Sequence, residues 1–325
     1  MKAVIRTGDG GTDVLKIGTI PPPQPTETQL LVDVKATALN RADLIQRRGG
    51  YPPPPGDSEI LGLEIAGTVS GIGQNVNSFN IGDRVFGLVG GGGYAEKAVI
   101  DYRMAIPIPS DWSFEEAAAV PEVFFTANEN IFTLGKLTKG ETILIHAGGS
   151  GVGSAGIQIA HHAGANVFVT AGTTEKINKC IELGAKAGIN YKETDFADEI
   201  SRLTNGDGVD VVLDFIGAEY LQRNLNILKT KGRLLQVGLM SGSETDINLG
   251  IVMRKRLKII GSVMRPQSIE EKIAITQRFV ERWLPELKDG TLQPIIDTVF
   301  TLEQVQEAHE YMEANRNFGK IILKT

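Results

Sequence analysis

One stretch, TILIHAGGSGVGSAGIQIA at residues 142–160, limits the fold more than any other. An apolar β run passes straight into Gly148, Gly149, Gly151 and Gly153, and then into an apolar helix. Glycines at such a junction let the backbone turn tightly and come close to a phosphate. The helix start beyond them offers unpaired N–H groups and the positive end of a dipole. In a strand–turn–helix setting this is the cradle of a dinucleotide pyrophosphate. Standing alone it would be no more than a turn needed for packing.

The setting is present. Between 140 and 264 the chain alternates strand and helix: TILIHA, VGSAGIQIAHHA, ANVFVTA, EKINKCIEL, AGINY, DFADEISRLTN, VDVVLDFI, EYLQRNLNIL, RLLQVG and LKIIGSV. Six strands at this period imply a parallel sheet covered on both faces, built from two mononucleotide-binding halves. Residues before 120 have another texture: LLVDVKA, EIAGTVSGI, DRVFGLV and YAEKAVI are short apolar runs broken by Gly and Pro, the spacing of a β-barrel or sandwich. A helix entry follows in PIPSDWSFEEAAAVP, with Ser113 as cap and Glu116 as its reciprocal partner. After 265 the chain reads helical in SIEEKIAITQRFVERWLPEL and LEQVQEAHEYMEAN, then ends in the strand GKIILK. A lone terminal strand needs a sheet to join, so residues 1–122 and 265–325 are expected to form one discontinuous domain, with 123–264 inserted as the dinucleotide-binding domain.

A chain of 325 residues suits two cores. Its net charge of −6 argues against a nucleic-acid partner. No secretory h-region and no apolar run of membrane-spanning length are seen, which points to a cytoplasmic protein without a membrane partner. The single cysteine, Cys180, sits at helical spacing with Ile177 and Ile181 and reads as core. The second strand of the alternating region ends at Thr170, Ala171 and Gly172, without the carboxylate that holds the ribose 2′-hydroxyl of NAD. Gly172 leaves room, and Lys176 supplies charge, for a 2′-phosphate, so NADPH is the expected cofactor. Glu175 reads as a first-turn acid of the next helix, capped by Thr173 or Thr174.

The stretches LGLEIAGTVSGIG and IGDRVFG resemble the medium-chain dehydrogenase/reductase superfamily, with its Gly-x-Glu-x-x-Gly run and later Gly-Asp-x-Val. Zinc alcohol dehydrogenases of that superfamily carry a His before the Glu and a Cys upstream; here those positions hold Leu63 and Asn40. One Cys and four His in the whole chain cannot assemble a zinc shell, so no metal is expected. ALNRADL, YPPPPG, LIHAGGSGVG, AGINY, GLMSG and QEAHEYMEANRNFGKIIL resemble the zinc-free quinone oxidoreductase branch, nearest its p53-inducible type. The resemblance implies an α/β fold, a Rossmann domain beside a GroES-like β-barrel catalytic domain, and hydride transfer from NADPH to a quinone. Reduction of an enone or enoyl thioester is the alternative. A cofactor-binding protein without catalysis is a third reading, disfavoured for RNA by the acidic balance.

The resemblance places Asn40 and Tyr51 near the nicotinamide with Asp43 close by, as catalytic positions. It places Pro121 and Thr126 at a hinge, Thr126 reaching the nicotinamide end. Val152 backs the ring, and Ser150 and Gly151 meet the pyrophosphate. Gly172, Lys176 and Tyr191 match a 2′-phosphate pocket. Gly238, Leu239 and Met240 match the nicotinamide-side ribose and amide, and Asn317 matches a late cofactor contact. Each also has a plain structural reading: Asn40 and Asp43 suit the start of a helix over RADLIQRR, and Tyr51 suits loop packing. Neither a Ser-Tyr-Lys group nor a His relay is evident, so no protein acid is assigned. The YPPPPG loop, flanked by Gly49, Gly50 and Gly56, reads as a gate. LKIIGSV, as the sixth strand, is expected at a sheet edge, where pairing with its copy would give a homodimer.

Overall fold

A computed structural model describes all 325 residues, Met1–Thr325. The chain divides into two compact units, Met1–Phe125 with Arg265–Thr325, and Thr126–Met264.

The inserted unit holds six parallel strands: Thr142–Ile145, Asn166–Ala171, Ala187–Asn190, Val209–Asp214, Leu228–Gln236 and Lys258–Gly261. Their spatial order is third, second, first, fourth, fifth, sixth. The order reverses between the first and fourth strands, and a sheet of this kind binds its ligand beyond the strand ends at that point. Every residue of Thr142–Ile145 is buried, as an internal parallel strand covered on both faces requires. Lys258–Gly261 lies at the edge, and none of its residues is buried. Helices Gly151–His162, Thr174–Glu182, Phe196–Leu203 and Leu221–Ile227 fall where the apolar period put them; Leu249–Lys255 is an additional one. Cys180 is fully buried, and burial pushes its thiol up to about 12.

In the discontinuous unit, Gln29–Ala38 pairs antiparallel with Glu64–Ile72, which pairs with Arg84–Leu88. Lys97–Asp101 also pairs with Gln29–Ala38. The terminal strand Lys320–Lys324 joins this sheet against Ala36–Ala38. It is not a lone addition, however: Ile296–Thr301 pairs in parallel on its other side, so the tail contributes two strands. The Ser113–Glu116 capping box is present at the start of Phe114–Ala118. Helix Ile269–Lys288 packs Phe279 against Phe125 with ring centroids 4.4 Å apart. No helix is long and apolar enough to cross a membrane.

Candidate active site

The inserted unit carries the Gly-rich turn. Ser150 caps helix Gly151–His162, its Oγ accepting from the Gly153 N–H at 3.0 Å. Ala147 turns the chain with φ of 51°, and Gly148 donates its N–H to Thr170 O. A Cβ on Gly153 would lie 2.4 Å from Ala147 O, and one on Gly148 would meet Val169 at 2.9 Å and Cys180 Sγ at 3.0 Å. Both positions are too tight for a side chain unless neighbours shift, and the turn leads into the N-terminus of helix Gly151–His162, an end that suits a pyrophosphate. Val152 follows Gly151 in the first helical turn.

The neighbouring strand end fits a phosphate rather than a hydroxyl. Thr173 caps helix Thr174–Glu182. Glu175 pairs along that helix with Lys179 at 2.9 Å, which engages the acid of its first turn. A Cβ on Gly172 would lie 2.9 Å from Tyr191 Oη and 3.3 Å from Lys192 Cε. Gly172, Tyr191 and Lys192 thus meet at one place, with Lys176 in the adjoining first turn. Lys192 escaped the sequence reading; its position directly after Tyr191 was the available signal.

A buried polar chain links the strand ends beneath this surface. The His146 ring nitrogens pair with Thr170 Oγ1 at 3.0 Å and Asn224 Oδ1 at 2.8 Å. Asn224 Nδ2 donates to Asp214, whose carboxylate also accepts from the N–H groups of Ile216 and Gly217. Burial holds the His146 pKa below its ordinary value, so the ring is a neutral bridge. The turn at Gly238 hangs from the same place: Val237 and Gly238 donate to Asp214 O, and Met240 to Phe215 O. Leu239 and Met240 are exposed on it. Thr126 is buried, with its hydroxyl 3.9 Å from Met264 Sδ.

The discontinuous unit gathers Asn40, Asp43 and Tyr51. Asn40 precedes helix Arg41–Arg47 and donates its backbone N–H to Asp43 Oδ2 at 2.7 Å. Asp43 also accepts from Gly62 N–H at 3.1 Å and Tyr94 Oη at 3.1 Å, and is fully buried. These three bonds tie the Asp43 carboxylate to the loop at Asn40, to Gly62 and to Tyr94. Burial raises its carboxyl to about 6 despite those bonds. Asn40 is likewise engaged through its side chain, donating to Glu64 Oε1 at 2.8 Å and accepting from Lys320 Nζ at 2.7 Å. Lys320 Nζ also donates to Glu64 Oε1 at 2.7 Å and Leu39 O at 2.9 Å. Both Glu64 and Lys320 are buried. An ammonium thus occupies the corner formed by Asn40 and Glu64, and Leu63, next to Glu64 in the chain, is buried. No group of three or more His, Cys, Asp or Glu is placed to hold a metal ion.

Glu64 Oε2 accepts the backbone N–H of Glu122 at 2.9 Å. Burial, and then repulsion from Glu64, raises the Glu122 carboxyl to about 8, while Lys320 and Arg265 oppose the shift. Tyr51 stands in the left-handed region with φ of 53°, and the Arg265 guanidinium lies 5.2 Å over its ring. Gly49 and Gly56, with φ of 87° and 93°, flank this segment. Asn317 bonds Gly319 O and shapes the turn into the last strand.

Two family models match the chain: "Alcohol dehydrogenase GroES-like domain" over residues 26–110 and "Zinc-binding dehydrogenase" over 151–280. The quinone oxidoreductase of Rattus norvegicus is 32% identical over 326 residues, 99% of this chain and 97% of that protein. A phenolphthiocerol/phthiocerol polyketide synthase polypeptide of Mycobacterium tuberculosis is 31% identical over 314 residues; the match takes in 97% of this chain but 14% of that protein's length. Among solved structures, the Escherichia coli quinone oxidoreductase complexed with NADPH has a TM-score of 0.91, 29% identity and full coverage of both chains. The CurK enoyl reductase has a TM-score of 0.87 and 27% identity, covering 99% of this chain and 98% of that one.

The raised Glu122 carboxyl has a pH consequence. The fold favours its protonated form, so the stability it lends is complete below about pH 4.5 and is lost as pH rises through about 8. Glu122→Gln keeps the shape without the charge. Its melting temperature should fall less than the parent's between about pH 5 and pH 9. Parallel curves for the two proteins would show that Glu122 does not titrate there.

Proposed function

The chain belongs to the medium-chain dehydrogenase/reductase superfamily, and from that premise we propose that it is an NADPH-dependent reductase of quinones that works without a metal. The observation that carries the reading is the end of strand Asn166–Ala171. It offers Gly172, Tyr191, Lys176 and Lys192 where an NAD enzyme needs a carboxylate. NADPH, when bound, supplies the hydride.

The chain's own residues hold and shield the reactants. Ser150, Gly151 and the helix start take the pyrophosphate, and Gly172, Lys176 and Tyr191 take the 2′-phosphate. Val152 lies behind the nicotinamide, with Thr126 at its edge and Gly238, Leu239 and Met240 along its ribose and amide. Asn317 makes a late contact. Tyr51 covers the acceptor, while Asn40 and Asp43 act as positioning residues. Positioning supplies much of the rate enhancement in such a reaction, because a reduced quinone is a stabilised anion that water can protonate. Likeness to the CurK enoyl reductase supports a second reading, reduction of an enoyl thioester by the same machinery.

A panel of ortho- and para-quinones, enones and an enoyl-CoA, followed by NADPH oxidation, separates the two readings. Quinones should be the better substrates. NADPH should bind at least tenfold more tightly than NADH, about 1.4 kcal/mol. Lys176→Ala should erase most of that preference and leave NADH affinity nearly unchanged. Equal affinity for both cofactors in the parent protein contradicts the phosphate pocket.

The reading includes a homodimer paired at strand Lys258–Gly261. Ile259 is 43% exposed there, and an apolar edge strand invites pairing; a twofold pair is its closed form. Lys258 at the strand's start discourages open-ended addition. Sedimentation should give a dimer at micromolar concentration, and Ile260→Lys should give a monomer that still binds NADPH. A monomeric parent protein ends this part of the reading.

A further inference from the structure

Arg265 carries a charge that its surroundings leave unanswered. Its side chain is 5% exposed. Nε donates to Gly90 O at 2.9 Å and Nη1 to Tyr51 O at 2.7 Å, both uncharged acceptors. The Tyr51 ring face supplies a third, weak contact. Nη2 is buried and has no hydrogen-bond partner. The carboxylates that act on this guanidinium, Asp43, Asp57, Glu59 and Glu122, do so through space, and none forms an ion pair with it. A buried cation without a contacting anion is costly, and an unpaired buried donor adds to the cost. Packing alone gives no reason to keep it, since an uncharged side chain of similar length would fill the same space.

We infer that Arg265 is an oxyanion-binding group, whose Nη2 receives the carbonyl oxygen of the acceptor as negative charge develops on it. The inference rests on the function proposed above and deepens it. When the acceptor takes a hydride, a carbon–hydrogen or oxygen–hydrogen bond forms. The π electrons of the conjugated system move onto the carbonyl oxygen, and the nicotinamide is left oxidised. The acceptor is then a phenolate or an enolate, and water later supplies the proton that completes the product. A guanidinium holds such an oxygen without surrendering a proton, since it remains charged at every working pH. Held away from water, it stabilises the anion more than a solvated cation could. Part of what a Lewis-acidic metal does for a carbonyl is thereby available from an organic cation. Arg265 also holds the backbone of Tyr51, whose segment turns at Gly49 and Gly56. The group that binds the oxygen and the residue that covers the acceptor are thus tied together.

The test uses 4-nitrophenol, a phenol whose ionised form is yellow, titrated with the NADP⁺-loaded protein so that no reduction occurs. The bound dye should ionise at least tenfold more readily than the free dye, and Arg265→Gln should abolish that shift. In turnover, Arg265→Gln should lower kcat for quinones by about 100-fold, while Arg265→Lys recovers part of the loss. NADPH affinity, read by fluorescence, should stay within about twofold of the parent's and so report that the variants are folded. Dye that fails to bind the parent protein, or binds with unchanged ionisation, overturns the inference whatever the variants do. So does parent-like turnover in Arg265→Gln. If the parent protein reduces no quinone, enone or enoyl thioester, the proposed function fails on its own, and the dye titration still decides the role of Arg265.

Discussion

A lysine ammonium buried against a glutamate carboxylate holds the discontinuous unit together at the place where its chemistry is proposed. Lys320 Nζ is saturated by Glu64 Oε1, Asn40 Oδ1 and Leu39 O. Glu64 in turn takes the side chain of Asn40 and the backbone of Glu122. Four segments far apart in sequence are fixed through two side chains: the loop before helix Arg41–Arg47, strand Glu64–Ile72, the segment at Glu122, and the terminal strand. An ion pair this deep contributes little net stability, because both charges lose their water. It specifies geometry, since either charge alone is unacceptable in that place.

This arrangement sets what the chemistry has to work with. At the corner of Asn40 and Glu64 the local positive charge belongs to Lys320. An ammonium with all its donors engaged does not polarise a substrate. The cation with a donor to spare is Arg265, beside Tyr51. In the inserted unit the equivalent constraint is the chain Thr170–His146–Asn224–Asp214, which locks three strand ends and the turns that rise from them. Each member is buried and paired, so the loops above it are set by the sheet and not by their own flexibility.

The inserted unit was the more legible half. Its central strands are continuous apolar runs because both faces are covered, and glycines such as Gly148 and Gly153 mark positions where a Cβ would strike neighbouring atoms. That pattern is local and can be read residue by residue. The edge strand Ile296–Thr301 was not seen, because it is only partly buried and its partner lies over twenty residues later, at Lys320–Lys324. Lys320 read as an ordinary strand residue: nothing local distinguishes a solvated lysine from one paired with a carboxylate 256 positions away. Glu122 and Arg265 were missed for the same reason, their importance lying in what the fold brings to them. Asn40 and Asp43 are legible through resemblance, which marks them as catalytic positions without showing their bonding partners. In the fold both carry hydrogen bonds that tie the loop to its neighbours.

The central claim, that the Glu64–Lys320 pair fixes the site, is tested most directly by a double-mutant cycle read as unfolding free energy. Lys320→Met leaves the Glu64 carboxylate buried without its partner and should cost about 3–5 kcal/mol. Adding Glu64→Gln to it should restore a large part of that loss, with a coupling of at least about 1 kcal/mol, because the two residues share one buried network. Costs that simply add, with no coupling between the two substitutions, would contradict the account.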